Sequence, residues 1–112
     1  MRSFTVSAFG TAPALVNRAA PVAGAGDVVV KVGACGLNYA DLLMIEGKYQ
    51  EKPALPVTLG MEVAGTVDSV GDGVSAFKVG DRVAAVPGSG GLAELCRVPA
   101  DRCVKLPDAM TD

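Results

Sequence analysis

The 112-residue sequence contains no histidine and no tryptophan. Without histidine the chain has no imidazole general base, no Ser-His or Cys-His nucleophile and no imidazole metal ligand. Aromatic residues make up only 4%, so the core must be Val, Ala and Leu, and nucleic-acid bases would find no stacking platform. Neither sign of charge dominates: ten Lys and Arg stand against twelve Asp and Glu, a formal net charge of −2. Such a balance gives no basic field to draw in nucleic acid or an anionic membrane. Cysteine is sparse and odd in number, Cys35, Cys96 and Cys103, with no C-x-x-C pair. That spacing indicates neither a zinc knuckle nor a disulfide framework, and reduced thiols in a cytoplasmic protein are expected. No apolar run approaches the ~18–20 residues of a membrane span, and Met1 to Phe9 reads as too short and too polar for a signal segment.

What is present is a half-apolar chain punctuated by 14 glycines and 7 prolines. The length suits one domain with a real core. Phe4, Val6 and Ala8 alternate with Thr5 and Ser7, as in a half-buried strand, and Leu15–Arg18 pairs with it as a hairpin. A β-branched run from Val28 gives a strong strand to Ala34. From Asn38 to Glu46 the pattern changes to a short helix, with Gly47 just beyond its end. Glu51 to Pro56, with two prolines, reads as a loop. Further strands follow at Met61–Val70, Val83–Val86, Leu92–Val98 and Cys103–Pro107. Gly65, inside its strand, suggests a bend or a close backbone approach. Many short strands with one short helix predict a small, mainly β barrel-like domain. Pro107 to Asp112 has the composition of a helix start, which suggests the front piece of a longer protein.

Two features are weaker than they look. Gly88-Ser89-Gly90-Gly91-Leu92-Ala93 fits G-x-G-x-x-A, but a dinucleotide site needs a helix after that turn, and the residues after Gly91 alternate like a strand. It reads as a loop. The acidic residues are scattered singly. Asp81 suits a turn or a surface ion pair with Arg82 or Lys78, worth ~0–1 kcal/mol.

The densest cluster of motifs runs G-x-N-Y-x-D at Gly36–Asp41, G-K-Y at Gly47–Tyr49, G-M-E-V-A-G-x-V at Gly60–Val67, V-G-D-R-V at Val79–Val83 and G-G-x-A-E at Gly90–Glu94. In this order and spacing the sequence resembles the N-terminal GroES-like domain of the medium-chain dehydrogenase/reductase superfamily. Within it, the chain is most similar to the zinc-free NADPH:quinone oxidoreductase (zeta-crystallin-like) family, over essentially all of residues 1–112. The resemblance implies a GroES-like, partly open β-barrel that serves as the catalytic domain. A Rossmann domain that binds NADPH would follow on the C-terminal side, in a homodimeric parent enzyme.

Zinc members of that superfamily hold their metal with a Cys and a His. Asn38 stands in the position of that Cys, and Met61 in that of the His. An amide and a thioether are poor zinc ligands. The resemblance therefore implies hydride transfer without zinc, to a quinone or another activated carbonyl, relying on positioning and hydrogen-bond donors. It places Asn38 and Tyr39 as catalytic residues, and Asn38 and Tyr49 against the cofactor. Asn38 also suits a helix N-cap, and both tyrosines suit plain packing. Asp41 reads as a structural first-turn carboxylate favoured by the helix dipole. Ile45 stands where relatives often carry an Arg, so any anchoring by that Arg is lost. Two alternatives remain open: a stand-alone GroES-like binding module without catalysis, and an enoyl or enone reductase whose choice of substrate is set by Lys48–Leu55. Without its cofactor domain, the chain is expected to self-associate through the face around Asn38 and Met61.

Overall fold

Among the described residues, the β-branched runs between the glycine turns become eight strands beside one short helix. The computed structural model describes residues 1–50 and 54–110. In chain order the elements are β1 Arg2–Val6, β2 Ala14–Asn17, β3 Asp27–Gly36, α1 Tyr39–Glu46, β4 Val57–Thr58, β5 Glu62–Val70, β6 Arg82–Ala85, β7 Leu95–Pro99 and β8 Cys103–Lys105, with a 3-10 turn at Ala100–Arg102. They form a three-stranded sheet, β2-β1-β4, and a five-stranded sheet, β7-β3-β5-β6-β8. Every described strand pairing is antiparallel.

β3 is the spine of the larger sheet. It pairs with β5 on one side and β7 on the other, so Val28, Val29 and Val30 are buried. β5 resolves its ambiguous period by turning Val63, Gly65 and Val67 inward. Val28, Val30, Val63 and Val67, together with Val83 and Val98, form the main core. A second, smaller core of Val6, Met44, Val57 and Leu59 joins α1 to the three-stranded sheet. The two sheets meet along residues 92–94, where the Phe4 N–H donates to the Leu92 carbonyl at 2.8 Å and the Glu94 N–H to the Arg2 carbonyl at 3.2 Å. They do not close into a ring among the described residues, so the barrel is partly open, as expected.

Several local expectations need correction. The first strand runs Arg2–Val6, two residues earlier than its apolar pattern suggested. Its buried positions include Ser3 and Thr5, while Phe4 is 37% exposed. The hydroxyls are tolerated because each finds a partner: Ser3 Oγ lies 2.9 Å from Thr5 Oγ1, which lies 2.9 Å from Thr58 Oγ1. β4 escaped sequence reading because two residues carry no period. Residues 92–94 bridge the sheets before β7 begins at Leu95. Asp81 accepts the Lys78 N–H at 3.0 Å, as a turn residue would, but its ion pair at 3.6 Å is with Lys105 across the sheet. The loop expected at Glu51 to Pro56 lies partly outside the described residues, as does the end of the helix start expected at Pro107 to Asp112.

All three cysteines are free thiols. Burial pushes the Cys96 thiol up to about 11, with Cys35 and Cys103 adding smaller contributions. The sign of the resulting pH dependence is fixed. The neutral thiol is accommodated below the ordinary value of 9.0, and stability falls as pH rises from there toward 11, by at most ~3 kcal/mol. Urea midpoints recorded from pH 8 to 11 should fall less steeply for Cys96→Ala than for the parent sequence.

Candidate functional site

α1 begins where the sequence placed it. Asn38 is the N-cap, with extended backbone at φ −128° and ψ 153°. Gly47 ends the helix at φ 71°, a left-handed conformation that costs glycine little. Its N–H returns to the Met44 carbonyl at 3.1 Å, and that of Lys48 to the Leu43 carbonyl at 2.8 Å.

Asp41 does more than sit in the first turn. It is 5% exposed. Its Oδ2 accepts the Asn38 N–H at 3.1 Å, one half of a capping box, and its Oδ1 accepts the Gly60 N–H at 3.1 Å. The carboxylate therefore fastens the N-terminus of α1 to the Leu59–Met61 segment. The three-residue spacing from Asn38 signals the cap. The link to Gly60, nineteen positions away, carries no local signal. At Gly60 φ is +103°, and a Cβ would lie 2.4 Å from the Leu92 nitrogen, so only glycine lets this strap lie against residues 91–92.

The result is a groove of about 400 Å³. Phe4, Leu37, Tyr39, Leu42 and Leu92 make most of its lining, with Asn38 as its polar contributor beside the clamped Asp41. Leu37 and Tyr39 are about three-quarters exposed, at 77% and 74%. Asn38 and Tyr39 are thus brought together. Tyr49 is not among the lining residues. It packs, with Met61, against the second core, whose Leu59 also lines the groove. A larger hollow of about 520 Å³ lies along Ala34, Ala64, Ala84 and Val104 and contains none of the predicted site residues.

Chemically, an amide carries both an acceptor oxygen and NH2 donors, so Asn38 can cap α1 and still donate to a ligand oxygen. The donor set does not fit zinc. Asn38 and Met61 offer an amide and a thioether. Both Asp41 oxygens already hold backbone N–H groups. Burial, and then Asp41 and Glu62, raise the Cys35 thiol above its ordinary value. The Gly88–Gly91 stretch is a loop followed by β7 rather than a helix, so it offers no helix N-terminus to a pyrophosphate.

Comparison with known proteins gives the frame for this geometry. Residues 24–108 match the family described as alcohol dehydrogenase GroES-like domain. A synaptic vesicle membrane protein VAT-1 homolog from Rattus norvegicus is 50% identical over 91 residues, 81% of this chain and 22% of the relative. A quinone oxidoreductase from Mus musculus is 42% identical over 114 residues, 98% of this chain and 34% of the relative. The crystal structure of Escherichia coli quinone oxidoreductase complexed with NADPH superposes with a TM-score of 0.92 at 29% identity, covering 99% of this chain and 35% of that one. The chain therefore spans roughly a fifth to a third of the length of these proteins.

Proposed function

We propose, from the premise that this chain belongs to the alcohol dehydrogenase GroES-like domain family, that it forms the substrate-facing wall of a zinc-independent, NADPH-dependent oxidoreductase that reduces quinones or other activated carbonyls. The observation that carries this reading is the placement of Asn38, a hydrogen-bond donor held at a clamped helix start, on a largely apolar groove. Relatives named quinone oxidoreductase, one of them complexed with NADPH, supply the reaction class.

In this reading NADPH, when bound, supplies the hydride. The chain supplies the substrate-facing groove and its hydrogen-bond donors. The leucines and Phe4 exclude water and accept a flat ring. The Asn38 amide donates to the carbonyl oxygen as negative charge builds on it, where a fixed donor counts most. The Tyr39 hydroxyl is a second donor at the rim. Tyr49, packed against the second core, is the further cofactor contact that the resemblance implies. A Rossmann domain beyond this chain binds most of NADPH. A homodimeric parent and a cytoplasmic setting belong to the same proposal, the latter supported by three free thiols. Among the described residues no helix is long and apolar enough to cross a membrane.

The test is steady-state kinetics of the full-length parent. Asn38→Ala should lower kcat/KM for a quinone by about 10²-fold, in the range typical for a lost oxyanion donor. A strong chelator should leave the rate unchanged. An undiminished rate in Asn38→Ala, or abolition by chelation restored with Zn²⁺, would refute the reading. Absence of any NADPH-dependent turnover in the full-length protein, with quinone or enone, would instead favour the binding-module alternative.

A further inference from the structure

A third hollow, of about 340 Å³ and with a mixed polar and apolar lining, opens between the edge strands β4 and β7 of the two sheets. Arg18, Thr58, Ser89, Gly90, Cys96 and Arg97 are among its lining residues. We propose that it binds a small oxyanion, a carboxylate or phosphate group, with the Arg18 guanidinium as its charged partner. None of these residues lines the Asn38 groove, so the site stands apart from the reductase reading.

Arg18 follows directly on β2 and is half-buried. Its Nη1 donates to Thr58 Oγ1 at 3.0 Å. Thr58 is itself buried and tied through Thr5 to Ser3. A chain of three hydroxyls rooted in the interior thus holds one edge of the guanidinium in place. A guanidinium has five N–H donors, and this contact uses one. Two arginines in this part of the molecule have carboxylate partners: Arg97 meets Asp27 at 3.0 Å and Arg2 meets Glu94 at 3.5 Å. No carboxylate among the described residues pairs with Arg18. A half-buried cation without a counter-charge is unfavourable, and an oxyanion in the hollow relieves that cost. The planar fork suits the two oxygens of a carboxylate or phosphate edge, and the Ser89 hydroxyl adds a neutral donor on the lining. Arg97 is already neutralised by Asp27, whereas the Met1 ammonium, which also lines the hollow, donates to the Arg18 carbonyl at 2.6 Å and adds to the positive charge that an oxyanion would meet.

The experiment is a titration of the ¹⁵N-labelled 112-residue chain with sodium phosphate and, separately, sodium acetate, at constant ionic strength set with chloride. The expected result is a saturable shift of the Arg18 Nε–Hε signal and of the Thr58, Ser89 and Gly90 amides. Saturation by phosphate alone identifies a phosphate-type ligand; saturation by acetate alone identifies a carboxylate. Arg18→Gln should weaken binding by on the order of tenfold or more, with Arg18→Lys, which keeps charge but loses the fork, in between. Absence of saturable shifts with either anion, or unchanged affinity in Arg18→Gln, would overturn the assignment. If Arg18→Gln does not fold, the Nε–Hε response of the unsubstituted chain decides the matter alone.

Discussion

Gly65→Ala should cost the domain about 3 kcal/mol, enough to threaten folding in a protein of ordinary stability. A Cβ at this position would lie 2.1 Å from the Lys31 carbonyl oxygen, and 3.0 Å from a Val30 side-chain carbon. Both belong to β3, the spine of the larger sheet. The obstruction is backbone oxygen in a strand bonded on both sides, so it cannot swing away as a side-chain tip would. β3 and β5 would have to separate where Val32 faces Gly65, loosening the valine core beneath. Gly73→Ala is the matched control: nothing lies within 4 Å of its Cβ, and φ of +81° is the only penalty, worth about 1 kcal/mol. Urea denaturation of the two variants should separate these costs. Equal midpoints would show that the close approach at Gly65 does not constrain the sheet.

Asp41→Ala should be nearly as damaging, through polarity rather than volume. It removes the acceptor for two backbone N–H groups, those of Asn38 and Gly60. Leaving a buried donor unsatisfied costs roughly 1–3 kcal/mol; the buried Gly60 N–H carries that cost in full and the part-buried Asn38 N–H less, about 2–4 kcal/mol for the two. Asp41→Asn keeps one acceptor oxygen and places an NH2 against the other donor, so it should fall between the parent sequence and Asp41→Ala. Amide exchange gives a local readout: the Asn38 and Gly60 protons should exchange faster in Asp41→Ala than general destabilisation alone produces. If those two amides stay protected to the same degree as the core, the clamp is not what orders the groove.

Sequence periodicity went furthest where strands are long and β-branched. Val28–Val30, the Gly65 approach and the Asn38–Gly47 helix were all legible, because each depends on local backbone preference or on a pattern within one element. It failed at β1, where buried Ser3 and Thr5 look polar and exposed Phe4 looks apolar. The reason is a hydroxyl chain completed by Thr58, more than fifty residues away. The motif G-x-N-Y-x-D brought Asn38, Tyr39 and Asp41 into view together, and the structure gathers all three at one groove. The partner that gives Asp41 its second role, Gly60, comes from another segment and leaves no mark on the helix pattern. Tyr49, singled out by resemblance, packs against the second core, a placement that no local pattern in its segment signals.

The most direct measurement is a crystal structure of the full-length parent with NADPH and a non-reducible carbonyl ligand, with anomalous data collected at the zinc edge. The ligand oxygen should lie about 3 Å from the Asn38 side-chain nitrogen, with no anomalous peak between Asn38 and Met61. A ligand oxygen out of reach of Asn38, or an ion held between those two side chains, would contradict the account.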